Sequence, residues 1–300
     1  MKSISRKNLT RLLIACVSSL MLLVCVISFS TDPQVPTWSQ IFGLNSYPDE
    51  DFVCFIDVGQ GDSILIHSNG KSAMIDFGNN TDNGSKLMYR LRNYGIRNLD
   101  CMLVTHYDAD HIGGADSVLK QIDVKNIIIP KHYNESSKAY IEFETSMNKS
   151  NAKVYVAEVG TIINIGDFEL TIVGHYENES DTNERSLIIM AEIDGVKFLF
   201  TGDASSDIEK QLINDKLNLD CDVFKAAHHG SKESNSISFL KHITPIYVAI
   251  SCGELNIYGH PHDEAITNFN TVGAKVFRTD INGDITFYIE NGIIVPKLQH

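Results

Sequence analysis

The sequence predicts an α/β protein: sheets covered by helices in one body that follows an N-terminal apolar segment. Three observations predict it. Short apolar, strand-like runs alternate with helical patterns from residue 51 onward, with no internal repeat or low-complexity tract. The 300 residues are 43% hydrophobic and 21% charged, enough for a well-buried core and unlike a collagen, a coiled coil or a disordered chain. The first thirty residues differ from all the rest in charge and hydropathy.

Residues 1–30 read as a signal peptide or a membrane anchor. Lys2, Arg6, Lys7 and Arg11 precede an 18-residue stretch, 12–29, without a charge. Ser28 and Ser30 offer a small-x-small cleavage pattern. Cations on the near side place the remainder outside the cytoplasm, either secreted or anchored by a single pass. Residues 31–50, with Pro33, Pro36 and Pro48, read as a linker, and 51–300 as the folded domain.

Charge narrows the function classes. The chain holds 25 Lys and Arg against 38 Asp and Glu; four of those cations lie in the first thirty residues, leaving −17 on the body. Such a body is not a passive electrostatic binder of nucleic acid. Phosphate chemistry here needs metal ions or a local basic patch. Lys225, Lys232, Lys241 and Arg278, near the motif loops, could guide a strand; ordinary solvated surface is the other reading. Cys16 and Cys25 lie in the apolar segment, and Cys54, Cys101, Cys221 and Cys252 stand singly. With no C-x-x-C, a thiolate zinc site is excluded as a leading reading. Outside the cell some of the four could pair; small buried apolar side chains are the alternative.

Within the body, strands are expected at 53–56, 63–67, 73–75, 101–104, 125–129, 169–173, 186–193, 197–200, 223–226, 247–251, 275–278 and 285–289. Helices are expected at 85–94, 116–121, 136–148, 207–214, 236–242 and 263–271. Asp194-Gly195 and Asn282-Gly283-Asp284 read as hairpin turns.

Four segments carry chemistry. Thr105-His106-Tyr107-Asp108-Ala109-Asp110-His111-Ile112-Gly113-Gly114 places four possible ligands within six positions just after an apolar run. Imidazole and carboxylate are the ligand types of hydrolytic divalent metals. Thr201-Gly202-Asp203 ends another apolar run; alone it reads equally as a turn or helix cap. In His228-His229-Gly230-Ser231, one of the adjacent imidazoles must point away, so at most one serves as a ligand. Asn256-Ile257-Tyr258-Gly259-His260-Pro261-His262 is a polar, histidine-bearing loop that alone reads equally as surface.

In this order, the segments resemble the metallo-β-lactamase superfamily, and more narrowly the extracytoplasmic β-lactamase-like domain of the ComEC competence family. Asp57-Val58-Gly59-Gln60-Gly61-Asp62-Ser63, Ile75-Asp76-Phe77-Gly78, Ser251-Cys252-Gly253 and Arg278-Thr279-Asp280 extend the match across about 52–289. The long polytopic channel segment of that family has no counterpart in these 300 residues, so this chain is not itself expected to be a channel. Two departures stand out. Asp108 replaces the second histidine of H-x-H-x-D-H. The third-motif histidine is missing; Asn183, a poor ligand, occupies its place, and His175 lies nearby.

The resemblance implies a four-layer αββα sandwich with metals at the edge between its sheets. His106 and Asp108 would hold one ion, Asp110 and His111 the other, with Asp203 bridging and His229 completing the second site. One or two divalent ions, zinc or manganese, are implied. Asp76 and Asn183 would support the ligands from behind. Asp110 and His260 would act on the reacting groups, and Ser231 and His260 would contact a phosphate. A divalent ion lowers the pKa of its water from about 15.7 to roughly 7, giving a nucleophile at neutral pH. The leading expectation is a metal-dependent phosphodiesterase acting on DNA or another extracellular phosphodiester. One alternative is hydrolysis of another ester or amide, as in lactamases, thioesterases and phosphocholine esterases. The other is a non-enzymatic binding module with a degraded metal site.

Overall fold

The computed structural model describes residues 6–42, 50–131, 136–176 and 181–300; Lys2 and Pro48, part of the expected flank and linker, lie outside them. The chain begins with α1 (Arg6–Phe29), whose Thr10–Phe29 stretch is long and apolar enough to cross a membrane. A short helix, α2 (Trp38–Ile41), follows, closed by a reciprocal Thr37–Gln40 capping box.

Two sheets then form. The first holds β1 (Asp51–Phe55), β2 (Ser63–Ser68), β3 (Lys71–Phe77), β4 (Asn98–Leu103), β5 (Asp123–Ile129) and β6 (Lys153–Val156). The second holds β7 (Ile162–Ile165), β8 (Phe168–Gly174), β9 (Ile188–Ile193), β10 (Val196–Phe200), β11 (Val223–Lys225), β12 (Tyr247–Ile250) and β13 (Lys275–Arg278). The chain then returns to the first with β14 (Ile285–Glu290) and β15 (Ile293–Leu298). The strand orders are β15-β14-β1-β2-β3-β4-β5-β6 and β13-β12-β11-β10-β9-β8-β7.

Period-two alternation builds the layers. On β1, Val53 and Phe55 face the second sheet, while Phe52 and Cys54 face the helices. Phe198 and Phe200 on β10 complete the core between the sheets. Helices α3 (Ser85–Asn93), α4 (Ala109–Ile112), α5 (Ala115–Gln121) and α6 (Lys138–Lys149) cover the outside of the first sheet. Helices α7 (Ser206–Asn214), α8 (Ile237–Ile243) and α9 (Asp263–Thr271) cover the second, and α10 (Thr279–Asn282) is a single turn after β13. The result is the expected αββα sandwich. Strands β3 to β6 run parallel, as do β10 to β13, so their carboxyl ends gather the motif loops along one edge.

All six expected helices of the body form, but three strands were not expected. β6, β7 and β15 are edge strands, partly or wholly exposed, so they lack the continuous apolar run of a buried strand. β15 also contains Pro296, which only an edge tolerates. The four body cysteines are buried and free, matching the reading as small apolar side chains. The stretch expected as a linker is tied to the body. The guanidinium of Arg92 on α3, almost fully buried, donates to the carbonyls of Ile27, Ser30, Val35 and Pro36 at 2.5 to 2.9 Å.

Candidate metal centre

The first motif leaves β4 at Leu103, and its imidazoles point inward: His106 and His111 are fully buried. Asp108 takes the N-cap position of α4 but makes no capping bond there; its carboxylate instead accepts the hydroxyl of Thr182 at 2.6 Å. The one-turn helix places His111 directly over His106, with ring centroids 4.0 Å apart. The loop before β2 locks this turn in place. Gly61 (φ +132) sits so close to Asp110 that a Cβ would lie 2.3 Å from its carbonyl oxygen, and the next amide, of Asp62, donates to that oxygen.

Asp203 arrives from the end of β10. Gly202 (φ +53) makes the approach possible, since a Cβ there would lie 2.7 Å from the Ser186 side chain. His229 arrives after β11 through two successive left-handed residues, His228 (φ 48) and His229 (φ 53). That twist buries His229 and leaves His228 partly exposed, as expected for adjacent imidazoles. Asn235 braces the turn: its side chain accepts from the Ala227 amide and donates to the carbonyls of Ala227 and Ser231. The buried carboxylate of Glu209 holds the Asn235 and Ser236 amides at 2.5 and 2.9 Å.

The histidines are used from two sides. From behind, His111 Nδ1 meets Asp76 at 2.7 Å, His229 Nδ1 donates to the Ser251 carbonyl at 2.9 Å, and His106 Nδ1 meets the Thr105 hydroxyl at 3.0 Å. Asp76 also accepts the Thr105 amide and hydroxyl. In front, the Nε2 atoms of His106, His111 and His229 are buried without a hydrogen-bond partner. Oxygens of Asp203 and Asp110 stand 3.2 to 3.5 Å from the last two, without hydrogen-bond geometry. Each orphaned nitrogen costs about 1–3 kcal/mol. Cations facing these Nε2 atoms would satisfy all three, His106 with His111 on one side and His111 with His229 on the other, so these residues fit one or two divalent metal ions. His106, His111 and Asp203 form one possible ligand group, and Asp110, His111 and His229 another. Groupings that add Asp62 or Asp76 meet at least one histidine on its Nδ1 side and read as outer support.

Beneath this layer lies an ion pair that the sequence reading missed. Lys225, buried on β11, contacts the carboxylate of buried Asp62, donates to the Gly202 carbonyl at 2.9 Å, and lies 3.4 Å from Asp203. Lys225 therefore belongs to the site's interior and not to a strand-guiding surface patch. Arg278, from the same expected patch, is engaged by Asp280 through two contacts of 2.6 and 3.0 Å; Lys232 and Lys241 are exposed.

Electrostatics follow from this packing. Burial opposes the charge on Asp62, but Lys225 and His229 outweigh it and hold the carboxyl well below its usual range. Burial likewise opposes protonation of His229, yet Asp203 and Asp62 push it up to about 9. His111 is raised well above its ordinary value against burial, by Asp203 and Asp76. His106 lacks such a close carboxylate, and burial and His111 push it down to about 4. Burial holds the Asp108 carboxyl above its usual range.

Among the other expected residues, His260 lies beside the cluster, 6.1 Å from His229 between ring centroids. Burial and neighbouring imidazoles lower it to about 4, so it is uncharged at neutral pH. The Ser231 hydroxyl accepts the Glu233 amide. Asn183 opens a short 3₁₀ turn (Asn183–Arg185), with its Oδ1 buried and unpartnered. Asp108 and His175 lie outside the ligand groups found among the described residues.

Comparisons with known proteins agree with the geometry. The metallo-beta-lactamase superfamily profile matches residues 56–253. ComE operon protein 3 of Bacillus subtilis is 31% identical over 277 residues, covering 84% of this chain and 35% of that protein. Competence protein ComA of Neisseria gonorrhoeae is 27% identical, covering 79% of this chain and 32% of its own length. The chain thus spans about a third of these relatives. Among solved structures, the metallo-beta-lactamase fold protein YhfI from Bacillus subtilis superposes with a TM-score of 0.54 at 13% identity, covering 83% of this chain and all of that one. CmlA, a diiron beta-hydroxylase from Streptomyces venezuelae, gives 0.52 at 12% identity, covering 83% and 58%. At such identities these likenesses concern the fold.

Proposed function

This chain belongs to the metallo-β-lactamase superfamily, in its ComEC-like branch, and on that premise we propose that it is a metal-dependent phosphodiesterase acting outside the cytoplasm. The observation that carries the reading is the convergence of three orphaned Nε2 atoms with Asp110 and Asp203 at the sandwich edge. A bound divalent ion supplies Lewis acidity toward a phosphoryl oxygen and an acidified water.

The chain's own residues do the rest. Asp76 and the Ser251 carbonyl fix the ring orientation of His111 and His229, so that each Nε2 lone pair faces the centre. Lys225 and His229 offset the charge of Asp62, and His111, His229 and Lys225 that of Asp203, which keeps both ionised at neutral pH. Uncharged His260 offers an N–H to orient a phosphoryl oxygen beside the cluster; its low pKa makes it a hydrogen-bond donor and not a general acid. The cations that precede the uncharged stretch 12–29 support an extracytoplasmic body.

The experiment is a turnover panel on the purified chain: a chromogenic phosphodiester, single-stranded DNA, a β-lactam, a thioester and a phosphocholine ester, each with added divalent metal. Cleavage of a phosphodiester, abolished in Asp203→Ala and His106→Ala with native circular dichroism, is expected. Turnover of only a lactam, thioester or phosphocholine ester would replace the reading. No turnover with any metal would favour a binding module.

A further inference from the structure

We infer that the loop from Ser251 to Pro261 forms a seat beside the metal centre on which a nucleobase of a single strand stacks, with Tyr258 as the platform. The inference deepens the phosphodiesterase reading and takes its substrate class from it.

The loop is braced at its base and apolar at its tip. Asn256 donates to the carbonyls of Gly253 and His260 and accepts the His260 amide, at 2.6 to 2.9 Å. The Gly253 amide is tied to the Gln60 side chain at 3.1 Å. Beyond these anchors Leu255, Ile257 and Tyr258 project with 95%, 92% and 57% exposure. An isolated exposed apolar side chain needs no explanation, but three within four positions of a braced loop beside a reactive centre do.

Ring geometry says what fits there. From the metal-facing His229 the rings step outward, to His260 at 6.1 Å and 35°, then to Tyr258 at 5.7 Å and 22°. Tyr258 thus turns a flat π-face to solvent two ring steps from the centre. In the proposed seat, a strand whose phosphate lies at that centre lays a neighbouring base on this face. Charge points the same way. A body of net −17 cannot grip a strand by neutralising its phosphates, and Lys225 is consumed inside the site. Stacking requires no net charge, works for any base, and needs the base unpaired.

The test compares two labelled oligonucleotides on the full chain in detergent with Mn²⁺: an oligothymidylate and an abasic strand of equal length. Both carry cleavage-resistant phosphorothioate links, and binding is read by anisotropy. The base-bearing strand is expected to bind roughly 5- to 150-fold more tightly, the span of one base–aromatic stack. That ratio should fall to near one in Tyr258→Ala and persist in Tyr258→Phe. Both variants alter an exposed side chain, and circular dichroism checks their fold. A ratio near one in the unaltered chain, or a ratio unchanged in Tyr258→Ala, overturns the seat. A base-dependent ratio without phosphodiester turnover would leave the seat standing and remove the enzymatic reading; turnover with a ratio near one would do the reverse.

Discussion

Replacing Lys225 by Met should cost more stability than any surface charge, and the cost should depend on Asp62. The ammonium is fully buried, touches Asp62 and lies 3.4 Å from Asp203. At that distance, with an effective dielectric of about 20, its attraction to Asp203 alone is on the order of 5 kcal/mol, less the cost of burying the ammonium. Removing one member of such a pair typically costs about 3–5 kcal/mol, because the remaining charge is stranded. Met conserves the stem length, so lost packing contributes little. Asp62→Asn in the same chain removes the stranded charge, and the double variant should recover about 2 kcal/mol or more relative to additivity. Urea unfolding of the four members of the cycle measures this, with the slope checked for constancy. Additive effects within about 0.5 kcal/mol would refute the buried pair.

Three further outcomes follow from the site. Burial pushes the Glu209 carboxyl up to about 7 even though the Ser236 and Asn235 amides favour its charged form. The folded state therefore holds this proton more tightly than the unfolded one. The stabilisation is complete below pH 4.5, the ordinary value, and is lost as pH rises through about 7, to a limit of about 3 kcal/mol. Urea unfolding between about pH 5 and pH 8 should show this slope flattened in Glu209→Gln, and an identical slope in both proteins would contradict it. Because His229 lies at about 9 and His111 well above its usual value, both are protonated in the metal-free chain at neutral pH. Metal uptake should then release about two protons, read by calorimetry in buffers of different ionisation enthalpy; no release would contradict protonated ligands. The carboxylates of Asp110 and Asp203 set oxygen ligands beside the imidazoles. Mn²⁺ should therefore activate the stripped chain more than Zn²⁺, and full activity with zinc, unchanged by manganese, would count against this.

The legible parts of this protein were those in which chemistry and burial are local in sequence. Stretches buried on both faces, such as 52–55 of β1 and 198–200 of β10, read as unbroken apolar runs, whereas edge strands β6, β7 and β15 did not. His106, Asp110 and His111 stand within six positions of chain, and their motif alone pointed to a possible ligand cluster. The ion pair beneath them was hidden because Asp62 and Lys225 meet only across the two sheets. A lysine on a short strand reads as surface by default. Glu209 was hidden similarly: it lies on α7 among polar residues, yet packs inward onto the Asn235 loop. Ligand roles also shifted. Asp108, expected to ligate, is taken by Thr182 and lies outside the ligand groups among the described residues.

The central claim is that the buried Nε2 atoms and the Asp110 and Asp203 carboxylates form one hydrolytic metal centre. Its most direct test is metal content and phosphodiester turnover measured on the same preparations of the unaltered chain, His111→Ala and Asp203→Asn, after stripping and reloading. The account predicts one or two divalent ions per unaltered chain, with ion retention and turnover lost together in both variants while circular dichroism stays native. Turnover that survives in Asp203→Asn, or an unaltered chain that retains no divalent ion, would contradict it.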